Sequence, residues 1–499
     1  MSNIRAFELK DFEEAAHIIK DDMHFDTYLK DDEIVDAFCH VNLANNLKEA
    51  TEAYSYILNG KLVGFIITKH ANGKLMYSKS EVDELSKPYF LKLGQHLLTP
   101  FVEKYQNHIK ELKKYLPEGQ KGEITLFAID KNFKRQGFGT DLLRELSKNH
   151  RLERYYVITD SDCNYQFYEK HHFELCAQGD IDLETEVAPK HLITFIYSRT
   201  LFYSDKPIEG DYLVRANANE QILAWAISSR NLVDHAREIH NLSPICTAAL
   251  GRSMSAALMM GNNLKNENDT ITLQFNGDGP MRGLVVTANN KGEVKGYTKA
   301  TDIILPPNAA QHLNVGGAIG NGTLTVIRDY GLKDPYVSTV ALQTGEIAED
   351  LAFYFASSEQ TPSVVALGVL MKKDATVDKA GGIILQLMPN CPEESISKLE
   401  RNLKKMYALT DLLKEGMTPE DMLDFVLEGF DVKITEKKPV KFQCNCSKER
   451  TERVLISIGK KELQKLKDED HGVTLNCQFC NSAYHFTEEE LANLIDSMK

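Results

Sequence analysis

At 499 residues the chain is too long for one ordinary core, so two or more units are expected. Hydrophobic and charged shares of 42% and 26% are those of a soluble globular protein, no apolar run approaches the roughly 18 residues of a membrane span, and the acidic start "MSNIRAFELKDFEE" has no signal-peptide core, so a cytoplasmic protein is expected with no membrane partner. The net charge of −14 argues against nucleic acid as a main partner, because that affinity comes largely from Lys and Arg neutralising phosphates.

A strand-like "IRAFEL" and an amphipathic helix open the chain. Two apolar runs, "AYSYILNG" and "KLVGFIITKH", are joined at Asn59-Gly60, a strong hairpin signal. The stretch from about Glu81 to Leu116 reads as helical, closed by Pro117 and Gly119, and is followed by a buried strand, "ITLFAID". A glycine loop, the helix "TDLLRELSKN", the strand "RYYVITD", a short helix at "NYQFYEKHH" and a last strand near "HLITFIYSRTL" complete an α/β pattern. The polar, Pro- and Gly-containing "YSDKPIEG" near 203–210 reads as a linker. Beyond it, helices at "EQILAWAISSRNLVDHAREIH" and "CTAALGRSMSAALMM" precede hairpin-like runs, the texture of an α+β domain. "GGAIGNGT" lacks the Lys of a nucleotide-binding loop and reads as turns. From about Gln386 to Val440 the chain reads as helical again, with an apolar stripe at Ile396, Leu399, Leu403 and Met406 and a helix start at Thr418-Pro419.

The glycine loop in "ITLFAIDKNFKRQGFGTDLLREL" joins a strand to a helix, so backbone N–H groups and a helix N-terminus would face an anion, as in a phosphate cradle. Glycine turns between strand and helix are common, and Gly137 and Gly139 alone do not decide the matter. With "NYQFYEKHHF" added, residues 1–200, and most clearly Glu123 to Phe173, resemble the GNAT acyltransferase family. The resemblance implies a mixed central sheet with flanking helices and acetyl-CoA or another acyl-CoA as cosubstrate. It implies that the backbone at Phe127, Ala128 and Ile129 pairs with the pantetheine arm. The loop Lys134, Arg135, Gln136, Gly137, Phe138, Gly139 and Thr140 would hold the pyrophosphate, and Asn164 would lie near the thioester. Tyr168 matches the tyrosine that protonates the departing thiolate. Glu123, at the start of the strand, is a candidate base for an amine acceptor that the sequence does not identify, although a strand-end Glu is more often just solvated. Two positions depart from the family pattern: Lys134 stands in place of Gln or Arg, and His172 in place of Gly.

Nine cysteines, an odd number, disfavour a disulfide framework. Cys39, Cys163, Cys176, Cys246 and Cys391 are scattered and read as small buried hydrophobes. Cys444 and Cys446 form a CxC, Cys477 and Cys480 a CxxC, and soft thiolates in two such pairs suit one tetrahedral zinc ion. Spacing leaves open whether the zinc is structural or a sensor. Zinc keeps the thiols deprotonated, which is the form an oxidant attacks, and losing the metal removes folding free energy.

From about Asp211 onward the chain resembles the heat shock protein 33 family of redox-regulated holdase chaperones. "FNGDGPMRGLVV" (275–286), Asn321 to Val365, "GGIILQLMP" (381–389) and the two cysteine pairs carry the resemblance. It implies a zinc-bound reduced form, disulfides Cys444–Cys446 and Cys477–Cys480 on oxidation, unfolding of the helical linker, unfolded client proteins as partners, and a dimer when active. Asn481 stands where that family has Gly after the CxxC, and Asn tolerates a left-handed backbone. The expected organisation is an acyltransferase domain at 1–203, a linker at 204–210, a chaperone core at 211–389, a redox-sensitive linker at 390–440 and a zinc-binding domain at 441–499. Three readings remain: a chaperone fused to an active acyltransferase, an acyltransferase with a purely structural zinc module, or a chaperone with a degenerate coenzyme-A-sensing domain.

Overall fold

The computed structural model describes residues 3–94, 100–150, 153–202, 210–310, 312–404, 406 and 408–498. It divides into two compact units, Met1–Asp205 and Lys206–Lys499. The division falls in the linker expected at 204–210, of which only Gly210 is among the described residues.

The first unit is a seven-stranded sheet in the order β1-β2-β3-β4-β5-β7-β6, comprising β1 (Ile4–Ala6), β2 (Glu52–Leu58), β3 (Lys61–His70), β4 (Gln120–Ile129), β5 (Arg154–Asp160), β6 (Glu174–Leu183) and β7 (Lys190–Thr200). Asn59 and Gly60 adopt φ of 51° and 80°, as the tight β2–β3 hairpin requires. Helices α1 (Phe12–Asp22) and α2 (Asp32–Glu49) cover one face, meeting Phe65, Ile67, Leu126 and Ala128, whereas α5 (Phe138–Asn149) covers the other, meeting Val63, Ile66, Ile124 and Val157. The face switch between Ile124 and Leu126 needs one extra residue, and the β3–β4 register supplies it: Ile67 pairs with Leu126 but Thr68 with Ile124, leaving Thr125 as a bulge. The stretch read as one helical segment from Glu81 to Leu116 contains two helices, α3 (Lys79–Leu93) and α4 (Pro100–Leu112); residues 95–99 between them lie outside the described residues. Helix α6 (Gln166–Lys170) precedes β6.

In the second unit a six-stranded sheet, β14-β13-β10-β11-β12-β18, faces a five-stranded one, β15-β16-β9-β8-β17, across the buried helix α8 (Pro244–Gly261). The first contains β10 (Thr270–Gly277), β11 (Leu284–Asn289), β12 (Glu293–Thr298), β13 (Gly322–Asp329), β14 (Tyr336–Ala341) and β18 (Lys441–Phe442). The second contains β8 (Tyr212–Ala218), β9 (Ile222–Ser228), β15 (Ser363–Met371), β16 (Val377–Leu387) and β17 (Val432–Pro439). Helices α7 (Arg230–His240), α9 (Val315–Ile319) and α10 (Ala348–Ser357) complete the core.

Three local expectations are corrected here. "ILAWAIS", read as the start of a helix, is strand β9, hydrogen-bonded on both sides; a short buried apolar run has no periodicity to separate helix from strand, and pairing decides. "GGAIGNGT" is not all turn, because its first half closes into the short helix α9 with Asn314 as its cap. The segment 390–440 is helical only to Val426, as α11 (Glu393–Lys404), α12 (Leu409–Lys414) and α13 (Pro419–Val426), after which β17 joins the core sheet beside β8. Thr418 caps α13 with a capping box and Pro419 is its first residue. Helix α12 lies against β15 and β16 where glycines leave space: a Cβ on Gly368 would sit 2.9 Å from Thr410 Cγ2, and one on Gly381 3.4 Å from Leu413 Cδ2.

The chain ends in α14 (Lys448–Ser457), α15 (Lys460–Asp468), the hairpin of β19 (Gly472–Asn476) and β20 (Ala483–Thr487), and α16 (Glu488–Ser497). Its core is small, with Leu455, Leu463, Phe486, Leu491 and Ile495 as the buried residues. Among the described residues no helix is long and apolar enough to cross a membrane.

Candidate functional site

The first unit opens between its two central parallel strands. Pairing of β4 with β5 ends at Ile124–Val157, so the last residues of each strand diverge. Asp130 donates its N–H to Val63 O on β3; by alternation, Phe127 and Ile129 turn their N–H and C=O groups away from β3, toward the opening. Ala128 turns its own toward β3, and its side chain is buried against α1 and α2.

The opening is a cavity of about 1640 Å³. Eleven of the thirteen residues singled out in the sequence line it: Glu123, Phe127, Ile129, Lys134, Arg135, Gly137, Phe138, Gly139, Thr140, Asn164 and Tyr168. Ala128 and Gln136 do not. The loop into α5 places Arg135 at φ 64° and Gly137 at φ 94°, and the first N–H groups of α5 have no intrahelical partner. Gly137 is there for its backbone. Gly139 is there for space, since its Cβ would press to 3.1 Å on Phe167. This concave row of N–H groups at a helix N-terminus suits an anion. Lys134 pairs with Asp22 at 2.5 Å across the cleft. His172 takes φ 58°, so the turn that glycine usually makes is kept with a side chain in place.

Tyr168 is buried against Phe167, Phe173 and Tyr197, and burial pushes its phenol well above the ordinary value, so it keeps its proton until a strong base arrives. Glu123 lies four residues into β4, not at its start and not loosely solvated: Lys113 Nζ is 3.1 Å from it and Tyr156 donates to it at 2.6 Å. Sequence reasoning passed over a second carboxylate. Asp160 ends β5 three residues past the last β4 pair, and burial raises its carboxyl above the usual range despite hydrogen bonds from Asp162 N at 3.0 Å and Tyr105 OH at 3.2 Å. Among the described residues no Lys, Arg or His pairs with it. The only sequence signal was an Asp closing a buried strand, which many strands share. Cys163, read as a core thiol, also lines the cleft.

In the second unit all four clustered cysteines are free thiols, and their Sγ atoms lie within 4.8 Å of one another. Two contacts run across the pairs: Cys444 to Cys477 at 3.7 Å and Cys446 to Cys480 at 3.2 Å. A tetrahedral zinc with sulfurs at about 2.3 Å has edges of about 3.8 Å, so the donor set and its spacing fit the metal. Asn481 adopts φ 57° and donates its N–H to Cys477 O at 2.7 Å, closing the knuckle that glycine would otherwise close. Tyr484 donates to Cys446 Sγ at 3.1 Å. Burial pushes the Cys444 thiol up. Against the same effect, Ser482 holds Cys480 down to about 7. Of the five scattered cysteines, Cys39 and Cys246 are buried and the other three partly so.

A splayed α/β sheet with a turn suited to an anion, followed by a two-sheet core that carries a four-thiol centre, defines a two-part protein: an acyltransferase-type domain joined to a unit with a four-cysteine module. Residues 211–487, more than half of the chain, match the family described as Hsp33 protein, and residues 13–173 match the Acetyltransferase (GNAT) family. The chain belongs to the Hsp33 family and carries a GNAT domain ahead of it. It is similar to the 33 kDa chaperonin of Lachnoclostridium phytofermentans, 50% identical over 287 residues, which are 57% of this chain and 98% of that protein. The 33 kDa chaperonin of Clostridioides difficile is 46% identical over 290 residues, 58% of this chain and 99% of that protein. The crystal structure of the Thermotoga maritima 33 kDa chaperonin matches with TM-score 0.54 and 34% identity, covering 57% of this chain and 98% of that one.

Proposed function

We propose that the second unit is an oxidant-activated, ATP-independent holdase of the cytoplasm, which binds unfolding proteins after its four thiols are oxidised. One observation carries this reading: four free thiols converge in a small block that follows, in the chain, a linker whose helices cover the five-stranded sheet. Bound zinc would hold Cys444, Cys446, Cys477 and Cys480 as thiolates and supply much of the folding free energy of a block with five buried core residues. One peroxide takes two electrons from each pair, giving Cys444–Cys446 and Cys477–Cys480 and leaving as two waters; with its four thiolates consumed, any bound zinc would be released. The block then loosens, and α12 and α13 come away from the sheet with Leu412, Leu413, Met422 and Leu423, all buried in the resting form. The uncovered apolar faces take up clients and a second copy of the chain. The test is peroxide with mild heat, following zinc release and suppression of client aggregation together. Retained zinc with no gain in holdase activity would make the zinc purely structural.

The first unit, in the same proposal, transfers an acyl group from acyl-CoA to an amine. The backbone of Phe127 and Ile129 aligns the pantetheine arm and the 134–140 loop binds the pyrophosphate. Asn164 sits toward the thioester. The amine nitrogen attacks the thioester carbonyl, the C–S bond breaks, and Tyr168 gives its proton to the departing sulfur. Of the two carboxylates, Glu123 is engaged by Lys113, whereas Asp160 faces the cleft with no cationic partner among the described residues and with its carboxyl raised by burial, which suits it to take the ammonium proton. Acetyl-CoA binding followed by turnover against a panel of amines tests this. Binding without turnover would favour a sensing domain.

A further inference from the structure

The far end of the first unit's sheet carries a second set of ligating side chains that the cleft does not use. His70 ends β3, His150 follows the last residue of α5, and Glu153 immediately precedes β5. His70 Nε2 is 3.0 Å and His150 Nδ1 2.7 Å from Glu153 Oε2, and the three ligand atoms lie within 4.8 Å of one another. The other ring nitrogen of His150 hydrogen-bonds Glu52 on β2. None of the four side chains is more than 34% exposed.

Two buried polar atoms at this spot make no hydrogen bond among the described residues: His70 Nε2, despite its closeness to Glu153, and Tyr155 OH. The Tyr155 ring stands 5.1 Å from that of His150 and 6.1 Å from that of His70, and it fits only because residue 122 is glycine, whose Cβ would fall 2.4 Å from Tyr155 Cζ. Native interiors rarely leave two such atoms together without a ligand or water between them. The charges point the same way. Glu52 and Glu153 have no Lys or Arg partner among the described residues, so the spot gathers two carboxylates that one divalent cation would balance.

We propose that His70 Nε2, His150 Nδ1 and Glu153 Oε2 bind a divalent transition-metal cation, zinc by preference, with Glu52 orienting His150 from behind. Two imidazoles and a carboxylate are a borderline donor set that suits zinc, and a ligating histidine characteristically donates its second N–H to a carboxylate, as His150 does to Glu52. A fourth position would be left to water. Binding through Nε2 puts the His70 ring proton on Nδ1, so the 3.2 Å contact from Asn72 N gives way; Asn72 sits in an exposed turn that can move. The cation would tie β3 to the start of β5 and to the C-terminal end of α5, the helix whose other end opens on the cleft.

The experiment is zinc stoichiometry of the reduced full-length chain by mass spectrometry after equilibration with micromolar zinc and gel filtration. Two equivalents are expected, one at the four thiols and one here. The double variant His70→Ala/His150→Ala should bind one equivalent, with far-ultraviolet circular dichroism confirming that it folds. Glu52→Gln should keep two equivalents at saturation and weaken the second 10–100-fold. One equivalent in the parent chain, or a second equivalent that survives the double substitution, would overturn the proposal.

Discussion

His240, the last residue of α7, donates its Nε2–H to the carbonyl oxygen of Phe479 at 3.0 Å, and Phe479 lies between two of the clustered cysteines, Cys477 and Cys480. The same nitrogen is 3.1 Å from Gly296 O on β12, and the Phe479 ring meets Tyr297 edge-on at 5.2 Å with Lys295 Nζ 4.8 Å from its centre. The thiol knuckle therefore rests directly on the chaperone core. Rearranging the CxxC moves the carbonyl that His240 holds.

His240→Ala removes this docking hydrogen bond, an effect of about 1–2 kcal/mol. Chaperone activation should then need less peroxide. A titration of aggregation suppression against oxidant checks it, and an unchanged midpoint would show that docking does not restrain the switch.

Gly368→Ala places a Cβ 2.9 Å from Thr410 Cγ2, closer than real contacts allow, and so pushes α12 from β15 without touching a cysteine. Holdase activity of the reduced, zinc-loaded protein should rise above that of the parent. Proteolysis should cut earlier between 404 and 418. Gly381 is a poorer choice for the same test, because its Cβ would meet Ile227 O at 2.4 Å inside the sheet.

In the acyltransferase unit, Tyr168→Phe should lower kcat about 100-fold or more with little change in acyl-CoA affinity, as expected for a lost proton donor. Asp160→Asn should cost more than Glu123→Gln if Asp160 is the base. Its pH profile should lose the acid limb. The reverse ranking would return the role to Glu123.

Acid stability of the first unit should depend on Asp11, whose carboxylate accepts from Arg5 at 2.8 and 2.7 Å and from Ser55 at 3.0 Å. Burial alone would raise its carboxyl, but these donors outweigh it and leave it below the usual value. A group whose folded pKa is depressed stabilises the fold above its unfolded pKa of about 3.9, and that stability is lost as pH falls through the lower folded value. Asp11→Asn should cost about 1–3 kcal/mol at pH 7 and flatten the acid limb of a denaturation series followed by circular dichroism. The single tryptophan, Trp225, is buried in the second unit, so its fluorescence transition should not move.

Much of this was legible in residue order because some features are local. An Asn-Gly between two apolar runs has few backbone solutions, and Thr418-Pro419 is a helix start by its own chemistry. Soft ligands in close pairs declare a metal before any fold is known. The strands β9 and β17 were harder, since a short apolar or alternating run becomes a strand only when a neighbour offers hydrogen bonds, and the neighbours here are β16 and β8.

What the sequence by itself determined was the two-part build, the glycine loop and the four cysteines of one site. Only the tertiary structure decided that Cys444 lies 3.7 Å from Cys477 and Cys446 3.2 Å from Cys480, that His240 holds the knuckle, and that Asp160 faces the cleft. It alone brought His70 beside His150, eighty residues away in the chain. Spacing along the chain records which chemistry is available; which groups meet, and in what burial, is set by packing of segments that carry no mark of one another.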